Sequence, residues 1–306
     1  MNLLDEIKES FKQGSTLTKL IYINLAVFLI VNIFNIFILL LQIKTFSVVE
    51  VLAVPANLND LMFKPWTIIT YMFLHEGFLH ILFNMLVLFW FGKLFLSYLS
   101  QKQLLSVYLL GGIFGAAMFI FFYNIFPAFY IYKQNAIALG ASASVMAVVV
   151  AISFYIPNNV MHLMFIGPVK LKYIAIAYII LDVISISGEN GQIGGNAGGH
   201  IAHLGGVLFG YLYIVQFKKG RNIAKSFDSF ADKIFTIFSR KTKMKVSYRN
   251  TNPSTYSHSK DMDYNAQKIA SQEEINIILE KISKSGYDSL SAKEKEKLFK
   301  ASSNYK

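Results

Sequence analysis

The chain has 306 residues, 54% of them hydrophobic, a mean hydropathy of +0.45 and a net charge of +11. So apolar a composition excludes an ordinary water-soluble enzyme and points to an integral membrane protein. The absence of cysteine excludes disulfides, a thiolate nucleophile and a cysteine zinc site.

Residues 218–306 hold +9 of the net charge, so a membrane body precedes a basic tail. A helix that crosses a bilayer needs ~20 mostly apolar residues. Six stretches meet that need: Leu20–Leu41, Phe78–Leu96, Leu104–Phe126, Leu139–Ile156, Leu171–Ile186 and Ile201–Phe217. The expected fold is therefore an all-α integral membrane protein with six transmembrane helices. Four segments are expected: an N-terminal stretch (1–19), a six-span body (20–217), a basic flexible linker (218–270) and a small helical hairpin (271–306). The first span starts only at Leu20 and has no small-residue cleavage site, so it reads as a retained helix and not a signal peptide.

Between the first two spans lies a long outer loop, Ile43–His75, with Pro55, Pro65 and Trp66. It stays apolar and is expected to dip into the membrane interface. The last outer loop, Ser187–Gly199, carries six glycines and suits a mobile segment at a site entrance. Orientation follows from the short loops. Lys8, Lys12 and Lys19, then Lys93 and Lys102, then Lys170 and Lys172, and finally the tail, all fall on one side, against Lys44, Lys64 and Lys133 on the other. The first side is assigned to the cytoplasm, with both termini there. The expected location is the bacterial inner (plasma) membrane.

In the tail, Lys218–Arg249 holds ten Lys and Arg against Asp228 and Asp232. It can attract anionic lipid or act only as a stop signal that fixes topology. Ser271-x-x-Glu274 and Ser291-x-x-Glu294 read as capping boxes that start two helices, and Gly286 ends the first.

Polar residues inside spans are costly and are functional candidates by default. Three motifs, LHILFN (Leu79–Asn84), LGASAS (Leu139–Ser144) and GGHIAHLGG (Gly198–Gly206), lie at the same end of the second, fourth and sixth spans. Ser142 sits among small neighbours, Gly140, Ala141 and Ala143, which leave an approach open to a nucleophile. Ser144 is its rival but has no glycine two residues before it. His203 is placed in the first turn of the sixth span, on a face with Gly199, Gly206 and Gly210 that permits a close helix crossing. His200, one turn earlier, is a rival base. His80 and Asn84 are four residues apart on one face, and paired donors of this kind suit an oxyanion. Each motif alone also reads as polar packing between helices. His75 reads as an interfacial group, and His162 falls at the other side. No carboxylate is evident as a third catalytic member; Asp182, in the fifth span, can solvate a polar cavity, orient a helix or have no catalytic part, and a structural role is preferred.

Together, GASA in the fourth span, His-x-x-x-Asn in the second and AHLGG-x-x-x-G in the sixth resemble the rhomboid intramembrane serine proteases of the bacterial six-span type. The resemblance covers Leu20–Phe217. It implies that Ser142 attacks and His203 is the base, with an oxyanion hole from His80, Asn84 and the backbone N–H of Ser142. It implies single-span membrane proteins as substrates, cut near the outer face, and no cofactor. His75 matches a further histidine found before that hole. Three positions depart from the family pattern: Thr67 stands where arginine often anchors the first loop, Ala143 where glycine is usual, and Met146 where an aromatic residue often stacks on the histidine.

The expected partners are transmembrane substrates and membrane lipids, with no nucleic acid. Two alternatives are a rhomboid-like protein that binds membrane helices without cutting them, and a metal-dependent membrane protein using His75, His80, His200 and His203. The metal reading is disfavoured by the lack of cysteine and by Glu76 as the only acid in the second-span motif.

Overall fold

A computed structural model describes residues 2–43, 46–163, 166–187, 193, 195–225, 227 and 274–303. The chain divides into two compact units, Met1–Arg240 and Lys241–Lys306.

The first unit is a helical bundle. An amphipathic helix α1, Leu3–Gln13, leads to α2, Thr16–Leu40, whose start is capped by the Ser15 side chain accepting from the Thr18 N–H. Helices α3 (Val48–Leu52), α4 (Leu58–Phe63) and α5 (Thr67–Thr70) occupy the first long loop. Helix α6 (Phe78–Leu96) and helix α9 (Leu171–Ile186) cover the residues that the apolar pattern predicts. The ends of four others differ: helix α2 begins four residues early, at the Ser15 cap, and three more shift as follows. Helix α7, Gln101–Ile125, begins three residues early because Ser100 and Gln103 close a capping box. Helix α8, Ser142–Tyr155, begins three residues late because Gly140, at φ +127°, cannot continue a helix. Helix α10, Ala197–Lys218, begins four residues early.

Four of these helices, α2, α6, α7 and α10, are long and apolar enough to cross a membrane. Helices α8 and α9 have 14 and 16 residues, which is ~21 and ~24 Å at the helical rise. Helix α8 is the centre of the bundle. Every residue from Ala143 to Ser153 is buried, against α6, α7, α9 and α10. Large apolar side chains instead face outward at Leu29, Ile33 and Phe37 on α2 and at Ile180, Leu181 and Ile184 on α9. Water would disfavour so continuous an apolar exterior, while lipid favours it.

Close backbone approach holds α7, α8 and α10 together. A Cβ at Gly206 would lie 2.0 Å from the Ala143 carbonyl oxygen, and one at Gly210 would lie 2.4 Å from that of Ala147. On the other side of α8, a Cβ at Gly111 would lie 2.3 Å from Ala147 Cβ. The small stripe Ala143, Ala147 of α8 therefore fits between glycines of two helices. Gly199 is not part of that face, since its near neighbour is the Asn196 side chain.

Two short β pairings were not legible in the apolar pattern. Strand β1 (Val54–Pro55) pairs antiparallel with β2 (Ile137–Ala138), joining the first long loop to the segment before α8. Strand β3 (Val160–Leu163) pairs with β4 (Gly167–Lys170) between α8 and α9. The loop also has side-chain ties of its own. Trp66 Nε1–H donates to the Val51 carbonyl at 2.9 Å, Thr70 Oγ–H to that of Leu52 at 2.7 Å, and Tyr71 O–H to that of Gly112 at 2.5 Å.

In the second unit, helix α11 spans 274–285 and helix α12 spans Ala292–Ser303. Gly286, at φ +76°, ends α11, as expected. The Ser291–Glu294 capping box is present: Glu294 accepts from Ser291 N–H at 2.7 Å, and Ser291 Oγ accepts from Glu294 N–H at 3.4 Å. Lys281 and Lys297 pair across the helices with Glu294 and Glu274. Ser271, most of the basic segment, Lys44 and the glycines at 188, 191 and 194 lie outside the described residues.

Candidate active site

Ser142 is the first residue of α8, and its placement is prepared by the chain before it. Strand β2 fixes Ile137–Ala138, and the Gly140 N–H donates to the Tyr71 carbonyl at 2.9 Å. The positive φ of Gly140 then turns the chain into the helix. A Cβ at Gly140 would lie 3.0 Å from His80 Cε1 and 3.4 Å from Ser142 Oγ. Glycine is thus required twice, for its backbone and for the open space between the serine and His80. The start of a helix also presents N–H groups without intrahelical partners, and these favour negative charge beside Ser142.

His203 lies in the second turn of α10, not the first, because the helix starts at Ala197. Its Nε2 stands 2.6 Å from Ser142 Oγ. The pair is brought together by the glycine contact one turn on, where Gly206 meets the backbone of Ala143. His200 makes no such contact with the serine among the described residues. Its Nδ1 lies 2.7 Å from Asp182 Oδ1.

Asp182 is the finding that the sequence reading missed. The same Oδ1 lies 2.8 Å from His203 Nδ1. The carboxylate is buried, 6% exposed, in the C-terminal half of α9. A structural role alone does not describe a group hydrogen-bonded to the ring that meets the serine. Its position as an acid in an apolar span was visible. The rotation that turns it toward α10 was not.

His80 and Asn84 both line the cavity beside Ser142. One Asn84 Nδ2–H donates to the His80 carbonyl at 2.8 Å, which leaves the second N–H of that amide for the cavity. His75 is not a surface group: it is 5% exposed and its ring meets the edge of His80 at 5.1 Å between centroids. Ser144 is fully buried and turns toward Met72, with Oγ 3.8 Å from the sulfur. Met146 lines the cavity wall. His162 lies on β3, away from these residues.

The cavity has a volume of about 540 Å³ and is lined by groups from α6, α8, α9 and α10. Among the described residues, Asp182, His200 and His203 are the group whose ligand atoms lie close enough, within 4.8 Å, to hold a metal ion. Their separations of 2.7 and 2.8 Å are hydrogen-bond distances. Ligand atoms bound at ~2.0–2.1 Å to a tetrahedral ion stand ~3.3 Å apart. The cluster as built is therefore a hydrogen-bonded one, and His75 and His80 do not belong to it.

Residues 63–219, about half of the chain, match the rhomboid domain family. Residues 258–304 match a family of unknown function, DUF6576. Among curated proteins, the chain is similar to RHOMBOID-like protein 12, mitochondrial, of Arabidopsis thaliana, with 29% identity over 51% of this chain and 47% of that protein. It is also similar to Presenilin-associated rhomboid-like protein A, mitochondrial, of Danio rerio, with 31% identity over 46% of this chain and 35% of that protein. The chain thus spans about half or less of the length of the curated relatives it matches.

Proposed function

The chain belongs to the rhomboid family, and from that premise we propose that it is an intramembrane serine endopeptidase cutting single-span membrane proteins near the outer membrane face. One observation carries the reading: Ser142 Oγ and His203 Nε2 stand 2.6 Å apart at the wall of a cavity between membrane helices.

The chemistry follows from the geometry. A substrate carbonyl enters the space beside Gly140. Ser142 Oγ attacks its carbon, and the hydroxyl proton passes to His203 Nε2. The developing oxyanion receives hydrogen bonds from His80, from the second Asn84 N–H and from the Ser142 backbone N–H. His203 then returns the proton to the leaving amine. Water admitted through the cavity hydrolyses the acyl-enzyme by the same proton path in reverse order. Desolvation strengthens each of these interactions, and the buried wall of α8 provides it.

The same proposal gives the body six spans, with α8 and α9 as short members inside the bundle. It puts both termini on the cytoplasmic side, by the lysine distribution, and the chain in a bacterial plasma membrane. The basic segment from Lys218 onward is assigned to that side, where it attracts anionic lipid or serves only as the stop signal that fixes topology.

The test is cleavage of a panel of single-span proteins in proteoliposomes. Either Ser142→Ala or His203→Ala should abolish cleavage, and the double variant should be no worse than either one. Full activity of Ser142→Ala would contradict the reading. Capture of a membrane helix without cleavage, equal in wild type and Ser142→Ala, would select the inactive helix-binding alternative.

A further inference from the structure

Resting on the protease reading above, we infer that Asp182 is a positioning residue of the site, holding His203 in the one tautomer that can accept the serine proton. The observation is a chain of contacts that reaches past the dyad: Ser142 Oγ to His203 Nε2 at 2.6 Å, and His203 Nδ1 to Asp182 Oδ1 at 2.8 Å. His200 Nδ1 joins the same oxygen at 2.7 Å.

An ionised carboxylate only accepts hydrogen bonds. Each Nδ1 at this distance must therefore carry its proton. Neutral His203 then has no proton on Nε2, and the lone pair there faces the serine. Without Asp182, an imidazole is free to place its proton on Nε2, where it cannot serve as a base. When the serine proton arrives, His203 becomes an imidazolium with a carboxylate at its far side, and the pair is neutral as a unit. This compensation matters more between membrane helices than in water, because the local dielectric is low. The bond from His200 keeps the carboxylate turned toward α10. His200 thus acts on the carboxylate and not on the serine, which gives the sixth helix two histidines with separate tasks.

The substitutions Asp182→Asn and Asp182→Leu separate this from a packing role. Asparagine keeps a carbonyl acceptor and loses the charge. Leucine is close in size, loses both, and is well suited to a membrane helix. The readout is the rate at which a fluorophosphonate labels Ser142, with thermal stability measured in parallel. Labelling should fall at least about 10-fold in each variant; the same carboxylate-to-amide change in a soluble triad lowers turnover by about 10⁴-fold, because the amide leaves the imidazole in the wrong tautomer. The melting temperature of Asp182→Leu should not fall in proportion. The ¹⁵N spectrum of the wild type, assigned by its difference from His203→Gln, should show the proton of His203 on Nδ1.

Labelling of Asp182→Leu within about threefold of wild type would overturn the inference while leaving the protease reading in place, as would a wild-type His203 protonated on Nε2. If Asp182→Leu does not fold, Asp182→Asn and the wild-type spectrum decide. A wild-type protein that is not labelled at Ser142 at all would overturn the reading and the inference together, so the two failures are distinguishable.

Discussion

At the scale of single residues, His75 shows how burial changes a group that sequence placed at the water boundary. Burial, and secondly the neighbouring His80, pull the His75 imidazole down from near 6.5 to about 4. The folded ring stays neutral until about pH 4, while the unfolded ring takes up a proton near pH 6.5. Between those values the unfolded state binds more protons, so stability falls as the pH drops through this window and is complete above it. The loss is on the order of 3 kcal/mol at most. The melting temperature of His75→Gln in detergent should therefore fall less than that of wild type between pH 7 and pH 4. Equal slopes would show that His75 stays accessible to water. Ser142, His203, His80 and Asn84 were all legible as candidates, because residue type and helical spacing put them at one end of three helices. Asp182 was not, because its partner lies 21 residues further on, in a different helix. No periodicity within one helix gives its rotation relative to another.

At the scale of elements, the apolar stretches located all six long helices of the body, and local chemistry corrected their ends. Helix α7 gained a turn from its capping box, and α8 lost one to Gly140. The β1–β2 pairing was illegible because Val54 and Ala138 are far apart in sequence and each strand has only two residues. The glycine face of α10 was legible at Gly206 and Gly210, and it has a measurable consequence. A methyl group at Gly206 cannot coexist with the Ala143 carbonyl at 2.0 Å, so α10 must move away from α8. Gly206→Ala should cost about 1–3 kcal/mol as an overpacked contact, and it should slow labelling of Ser142 because His203 moves with the helix. Gly195→Ala, with nothing within 4 Å of the added atom, is the control. Wild-type stability and rate in Gly206→Ala would show that the α8–α10 crossing does not set the serine–histidine distance.

At the scale of the whole molecule, charge asymmetry separated an apolar body from a basic tail, and the compact-unit boundary at Arg240 falls within that tail. The hairpin that closes the second unit has its own stabilising contacts. The Ser291 N–H first, and then the Lys281 ammonium, hold the Glu294 carboxyl down to about 2. Its charge, and with it the link between α11 and α12, is thus present at any physiological pH. A chain ending at Arg240 retains every group proposed to act in catalysis. It should fold in detergent and label at Ser142 at the wild-type rate. A truncated protein that folds but does not react would show that the tail controls the site.

The most direct measurement is the site of covalent reaction. The purified 306-residue chain, reconstituted in lipid, is treated with a fluorophosphonate and mapped by peptide mass spectrometry. Ser142 should carry the modification while Ser144 and Ser153 do not, and the modification should disappear in His203→Ala. An unmodified Ser142, or labelling that persists undiminished in His203→Ala, would contradict an activated serine at this site.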